Sequence, residues 1–182
     1  MFAVSDDIAA AKASLGFMTT LRGERVTLRL AASADIDAIV EIRSSPEVRR
    51  WWGDEEDYRA AVLEEISQTY AIVLDGEVVG AIQWYENDDP QYRHAGLDIY
   101  LHPDRTGQGL GTDAVRTLAR HLIRDRSHHR LVIDPAADNE PAIRAYRKVG
   151  FKPVGLMRAY ERGQDGTFHD GLLMDLLAGE LT

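Results

Sequence analysis

Arg105-Thr106-Gly107-Gln108-Gly109-Leu110-Gly111-Thr112 sets three glycines at alternate positions between an apolar run, Ala95–Leu101, and an amphipathic stretch carrying Val115, Leu118, Ala119 and Leu122. Glycines at this spacing clear side chains from a strand-to-helix turn and let main-chain N–H groups face outward. With the positive end of the following helix dipole, those groups make a pocket for phosphate oxygens that needs no metal. A Walker loop is excluded, because it requires Gly-Lys-Ser/Thr. Gly109-Leu110-Gly111-Thr112-Asp113-Ala114 meets the loose dinucleotide pattern G-x-G-x-x-G/A, but several strands precede it and too little chain follows for a full doubly wound domain. A purely structural turn, with the glycines serving close packing, is a further alternative.

The rest of the chain supplies the elements around this turn. Glu24–Leu30 alternates apolar and polar residues and reads as a strand. Ser33 opens a helix with Ile36, Ile39, Val40 and Ile42 at helical spacing, and Pro46 is expected to close it. An acidic helix follows over about Asp54–Ser67. Tyr70–Leu74 and Val78–Tyr85, joined by Asp75-Gly76, form a hairpin. Ala95–Leu101 is a strand, Gly109–Arg124 a helix, Arg130–Ile133 a short buried strand and Asn139–Lys148 a helix stopped by Gly150. Phe151–Arg162 and Phe168–Leu177 pair around Gly163-Gln164-Asp165-Gly166. The order β-α-α-β-β-β-α-β-α-β-β predicts one mixed α/β (α+β) domain, which suits a chain of 182 residues.

The glycine turn resembles the pyrophosphate-binding loop of the GNAT acetyltransferase superfamily, usually written Q/R-x-x-G-x-G/A. Here Thr106 stands three places before Gly109, with Arg105 one place earlier. Downstream, Ile133-Asp134-Pro135, Asn139, Tyr146 and Gly150-Phe151 resemble the second half of the same cofactor site. The resemblance implies a GNAT fold over residues 21–182, a mostly antiparallel mixed sheet flanked by helices. The sequence before it, residues 1–20, reads as a dispensable extension or a short surface helix, with Met18 an alternative start just before the first strand. It implies acetyl-CoA as cosubstrate, held by Arg105, Gly107, Gln108, Gly109, Leu110, Gly111, Thr112, Asn139 and Tyr146.

A narrower resemblance rests on Trp51-Trp52-Gly53, Gln83-x-Tyr85, Gly96-Leu97-Asp98 and Asp134-Pro135, which together look like the aminoglycoside 6′-N-acetyltransferases. By that resemblance Trp51, Trp52, Gln83, Tyr85, Asp98 and Asp134 contact the acceptor. An aromatic wall packs on a sugar ring, and its quadrupole attracts ammonium groups. The adjacent tryptophans equally suit one core and one surface position, and Asp134 equally suits capping the turn before Asn139. Leu28-x-Leu30 and the helix after it also resemble ribosomal-protein acetyltransferases, so a peptide acceptor is an alternative, as is a non-catalytic acyl-CoA-binding domain.

Composition narrows the chemistry. The chain has no cysteine, which excludes disulfides, cysteine-zinc sites and acyl-cysteine intermediates and fits direct transfer in the cytoplasm. The net charge of −9 disfavours nucleic acid and favours a small cationic amine. No apolar run is long enough to span a bilayer. No metal is expected: His128 and His129 are adjacent on a strand edge and point to opposite faces, while His102 and His169 suit solvated positions. Nothing in the pattern separates a monomer from a homodimer. Asp98 is the expected base, Glu86 a second candidate, and Tyr146 the acid for the CoA thiolate as the resemblance implies. The oxyanion donors are expected among main-chain N–H groups of residues 98–102.

Overall fold

The computed structural model describes residues 20–182, so all but the last residue of the expected extension lies outside it. β1 (Leu21–Arg22) and β2 (Thr27–Leu30) are separated by a turn closed by the Gly23 N–H donating to Val26 O at 2.9 Å. The single strand expected from Glu24 is therefore shorter, because Glu24 to Val26 serve the turn. Three helices follow: α1 (Ile36–Arg43), α2 (Pro46–Trp52) and α3 (Tyr58–Glu65). The helix expected to stop at Pro46 ends at Arg43, and Pro46 also starts the next one. A first-turn residue has no intrahelical acceptor for its N–H, so proline's missing donor costs nothing there. Trp51 and Trp52 thus end a short helix that the sequence pattern did not reveal.

β3 (Thr69–Leu74) and β4 (Glu77–Asn87) join through Asp75 and Gly76, with φ of 50° and 88°, as a tight hairpin turn requires. β5 (His94–Leu101) leads through the glycine turn into α4 (Leu110–Arg124). β6 (Arg130–Ile133), α5 (Glu140–Arg147), β7 (Lys152–Arg162) and β8 (Phe168–Leu177) complete the chain. The eight strands form one sheet in the order β1-β2-β3-β4-β5-β6-β8-β7. Neighbours are antiparallel except β5 and β6. This is the mixed, mostly antiparallel architecture expected.

Helices cover both faces. α4 and α5 bury Leu110, Val115, Leu118, Leu122, Ile143 and Tyr146 against Leu28, Ile72, Ile82, Leu97 and Leu131. α1, α2 and α3 pack Ile36, Ile39, Ile42, Val48 and Val62 on Ala81 and Tyr100 of the opposite face. Full burial of such aliphatic side chains contributes about 1.5–3 kcal/mol each. The two layers therefore clamp β4 and β5 from both sides and leave them rigid.

Gly150 ends the α5 region with φ of +115°, and a Cβ there would lie 2.3 Å from Glu180 O. Gly76 also has positive φ, but its added Cβ would meet nothing. Gly150→Ala is expected to destabilise the fold by roughly 1–3 kcal/mol, more than Gly76→Ala. Urea unfolding of the two variants checks the order.

Candidate active site

β5 and β6 register only at Ala95 with Leu131 and Gly96 with Val132. Beyond Gly96 they part, while β4 stays paired with β5 to Leu101. The His102 N–H donates to Val79 O at 2.8 Å, which fixes the alternation along β5. Asp98 and Tyr100 therefore turn their N–H groups to β4, and Ile99 and Leu101 turn theirs into the gap. The oxyanion donors expected between residues 98 and 102 have these two candidates. The β4–β5 register carries no bulge here, so the opening comes from loss of β6. The gap belongs to a cavity of about 1100 Å³ lined by β5, the glycine turn, the end of β6, α2 and α5.

At the glycine turn, the N–H groups from Gly107 through Thr112 find no acceptor among the described residues. Those of Leu110, Gly111 and Thr112 belong to the first turn of α4, where no intrahelical partner exists. Gly107 and Gly109 take φ of +71° and +82°, which glycine adopts without strain. Gly107, Gly109, Gly111 and Thr112 line the cavity. The Leu110 side chain is fully buried in the core, so that residue offers only its main chain. Gln108 turns its Nε2 back to Asp104 O at 2.9 Å. Arg105, expected beside the phosphates, points elsewhere: it pairs with Glu77 at 3.3 Å and borders a separate small cleft with His102. The cation the structure does bring to the turn is Arg25, whose Nη1 donates to Gln108 O.

Across the gap, Asn139 caps α5, its Oδ1 accepting the Ala142 N–H at 3.2 Å. Tyr146 lines the cavity from α5 and is 8% exposed. Burial raises its pKa first, and the charges of Asp98 and Asp134 add to the effect, so its hydroxyl holds a proton firmly.

Carboxylates gather on the other side of the cavity. Asp98 is pushed up to about 7, first by burial and then by Asp134, Glu65 and Glu161. Asp134 accepts no backbone N–H among the described residues, so it does not cap the turn; the Tyr160 hydroxyl lies beside it and is pushed up to about 12. Trp51 and Trp52 both line the cavity. Trp52 stacks edge-on against Tyr100 at 4.7 Å, and Arg43 lies over it at 4.9 Å. Arg50 lies over Trp51 at 4.7 Å. Arginines thus already use ring faces that the sequence pattern left for an ammonium. Buried Arg43 also donates to Trp52 O at 2.9 Å and fixes the end of α2.

Gln83 and Tyr85 share the face of Asp98 but are not part of the cavity wall. Gln83 Oε1 accepts from Thr69 Oγ1 at 3.4 Å, and the Tyr85 ring covers Gly96, where a Cβ would lie 2.0 Å from it. Glu86, the second candidate base, faces the opposite side of β4. Its carboxylate is held by Arg126 at 2.9 Å and by His128 Nε2 at 2.9 Å. His128, expected on a strand edge, is buried there. No cluster of three metal-ligating side chains occurs among the described residues.

Residues 25–152 match the family described as acetyltransferase (GNAT) domain. The chain belongs to the GNAT acetyltransferases. It is 33% identical over 161 residues to the aminoglycoside N(6′)-acetyltransferase type 1 of Klebsiella pneumoniae, across 76% of this chain and 79% of that one. It is 24% identical over 139 residues to the spermidine N(1)-acetyltransferase of Escherichia coli (strain K12), across 71% and 74%. The solved structure of Mycobacterium smegmatis RimJ in complex with CoA-disulfide matches it with a TM-score of 0.79 at 25% identity, across 91% and 90%.

As a GNAT enzyme the protein is an acetyl-CoA-dependent N-acetyltransferase. Acetyl-CoA supplies an activated acetyl thioester. The residues present fit it: unpaired N–H groups at the mouth of a 15-residue helix suit a diphosphate, and the parted strands leave room for an extended arm.

The sequence pattern missed Tyr160 and Glu161, which both line the cavity. Neighbours on a regular strand face opposite sides. Here β7 advances from Met157 to Glu161 while β8 retreats only from Gly171 to His169. The excess makes a bulge with Ala159 at φ of +48°, its N–H donating to Asp170 Oδ1 at 2.8 Å. No local residue pattern announces it.

Asp98 rises from an ordinary 3.8 to about 7 on folding, so the folded state binds the extra proton between those values. Stability contributed by this group falls as pH rises through that window and is level above it. Asp98→Asn removes the dependence. Its stability relative to the parent is expected to climb from pH 4 to pH 7 and then flatten, as urea midpoints measured across pH will show; a flat difference would mean an ordinary carboxyl.

Proposed function

We propose that this enzyme acetylates an amino group of a small polycation, the 6′-amine of an aminoglycoside, by direct transfer. The observation that carries the reading is the group of carboxylates around Asp98. Burial and three further carboxylates raise its pKa, and no cation is among the causes. Such a group is stabilised by an incoming ammonium. Trp51 and Trp52 line the same cavity and supply aromatic surface on which a ring-shaped acceptor can pack. The relative from Klebsiella pneumoniae supports the same acceptor class.

In this reading Asp98 and Asp134 pair with the acceptor's ammonium groups, and Glu161 and Tyr160 extend the binding wall. Gln83 and Tyr85 buttress Asp98 from β4. Asp98, poised near neutrality, takes the proton that frees the amine lone pair. The amine nitrogen bonds to the thioester carbon and the carbon–sulfur bond breaks. Ile99 and Leu101 donate N–H bonds to the transient oxyanion. Tyr146, which keeps its proton, gives it to the departing sulfur, and the second proton, which the nitrogen sheds on becoming an amide, passes through solvent to the phenolate left behind. Gly107, Gly109, Gly111 and Thr112 hold the diphosphate, and Asn139 lies along the arm.

A linear polyamine is the second reading, favoured by the spermidine-acetylating relative. Release of free CoA thiol is to be followed with kanamycin, spermidine and an N-terminal peptide as acceptors. Kanamycin is expected to give the highest kcat/KM. Turnover confined to the peptide would sink the reading, and turnover confined to spermidine would favour the second.

Two variants test the roles. Asp98→Asn is expected to lower kcat/KM by about a hundredfold or more and to abolish the rise of rate with pH through about 7. Tyr146→Phe is expected to lower kcat while leaving the affinity for acetyl-CoA, measured by calorimetry, within about twofold. Unchanged turnover would reject the acid role.

A further inference from the structure

Arg25 lies in the turn between β1 and β2, far along the chain from the glycine turn, yet it bonds that turn's main chain at Gln108 O. The Arg25 turn is itself held from α4. The N–H groups of Glu24, Arg25 and Val26 converge on the Asp113 carboxylate at 3.0, 2.8 and 2.9 Å. Asp113 is 4% exposed, so these three dipoles replace water around its charge. Gly23 packs against the same group, where a Cβ would lie 2.5 Å from Asp113 Oδ2. A carboxylate in the first turn of α4 is thereby turned onto the β1–β2 turn, and it is not part of the cavity wall.

The carbonyl and N–H of a trans peptide point in opposite directions. Holding Gln108 O toward Arg25 therefore directs the Gly109 N–H away from Arg25, on a residue that lines the cofactor cavity. Glycine at 109 permits φ of either sign, so nothing intrinsic prevents this peptide from flipping. A flipped peptide would set a carbonyl oxygen against the phosphates. We propose that Arg25, anchored through Asp113, is a positioning residue for the cofactor: it locks the Gln108–Gly109 peptide with its N–H toward the diphosphate. This holds whichever amine is the acceptor, since it concerns the acetyl-CoA half alone.

The test is calorimetry of the full-length protein with CoA and with 3′-dephospho-CoA, alongside steady-state rates. Arg25→Gln is expected to weaken both ligands equally, by about tenfold, the scale of one charge-assisted hydrogen bond. kcat at saturating acetyl-CoA and the acceptor KM are expected to stay within about twofold. Millimolar guanidinium should restore part of the lost affinity. Asp113→Asn should shift CoA affinity in the same direction. Should Arg25→Gln fold poorly, Arg25→Lys serves in its place, with a smaller loss expected. Unchanged CoA affinity in a folded variant would overturn the proposal. So would a loss seen with CoA but not with 3′-dephospho-CoA, which would mean a contact to the 3′-phosphate.

Discussion

The site depends on the failure of one strand pair to stay closed. β5 is held along its full length by β4, and both faces of that pair are packed by helices, so β5 cannot follow β6 as it departs after Gly96. An internal strand of a sheet is left with unpaired main-chain groups. Burying such groups without partners is costly, and a bound substrate that accepts hydrogen bonds removes that cost. The same gap admits Tyr146 from α5 on one side and Asp98 from β5 on the other. The groups proposed as acid, base and oxyanion donors are thus brought together by a single departure from regular pairing.

Charge divides the cavity in two. Toward α4 it presents main-chain N–H groups and the positive end of a helix, with Arg25 behind the turn. Toward α2 and the β7–β8 hairpin it presents carboxylates, among them Asp98, which burial first and its carboxylate neighbours second push up. An anionic carrier and a cationic acceptor would each be repelled from the other's end. Orientation of the two reactants follows from electrostatics before any close contact forms.

Much of this was legible in the residues. The glycine turn and Asn139 obey local rules of backbone conformation and helix capping, Tyr146 follows helical spacing, and each lies on the element expected of it. Asp98 was marked by the Gly96-Leu97-Asp98 resemblance rather than by a local rule. What escaped depended on contacts remote in sequence. Arg25 reaches Gln108 only because Asp113 gathers the β1–β2 turn. The loop resemblance sets Arg105 at the phosphates, but a turn of 3-10 helix at Pro103–Arg105 swings it to Glu77. Glu86 was a plausible base until strand alternation placed it behind the sheet, and its neighbour His128 was buried with it. Pro46 was ambiguous because the same residue that stops one helix suits the first turn of another.

The bulge at Ala159 hangs part of the cavity wall on a strand whose other residues are almost all exposed. Tyr160 and Glu161 therefore project into the cavity from a segment that contributes little to the core. Substitutions along β7 can reshape this end of the cavity while the glycine-turn half and the core, to which β8 adds Met174 and Leu176, stay intact. Such a division lets selection by a new amine act on a few surface positions, and it makes the hairpin the natural segment to graft or randomise when the enzyme's preference is to be changed.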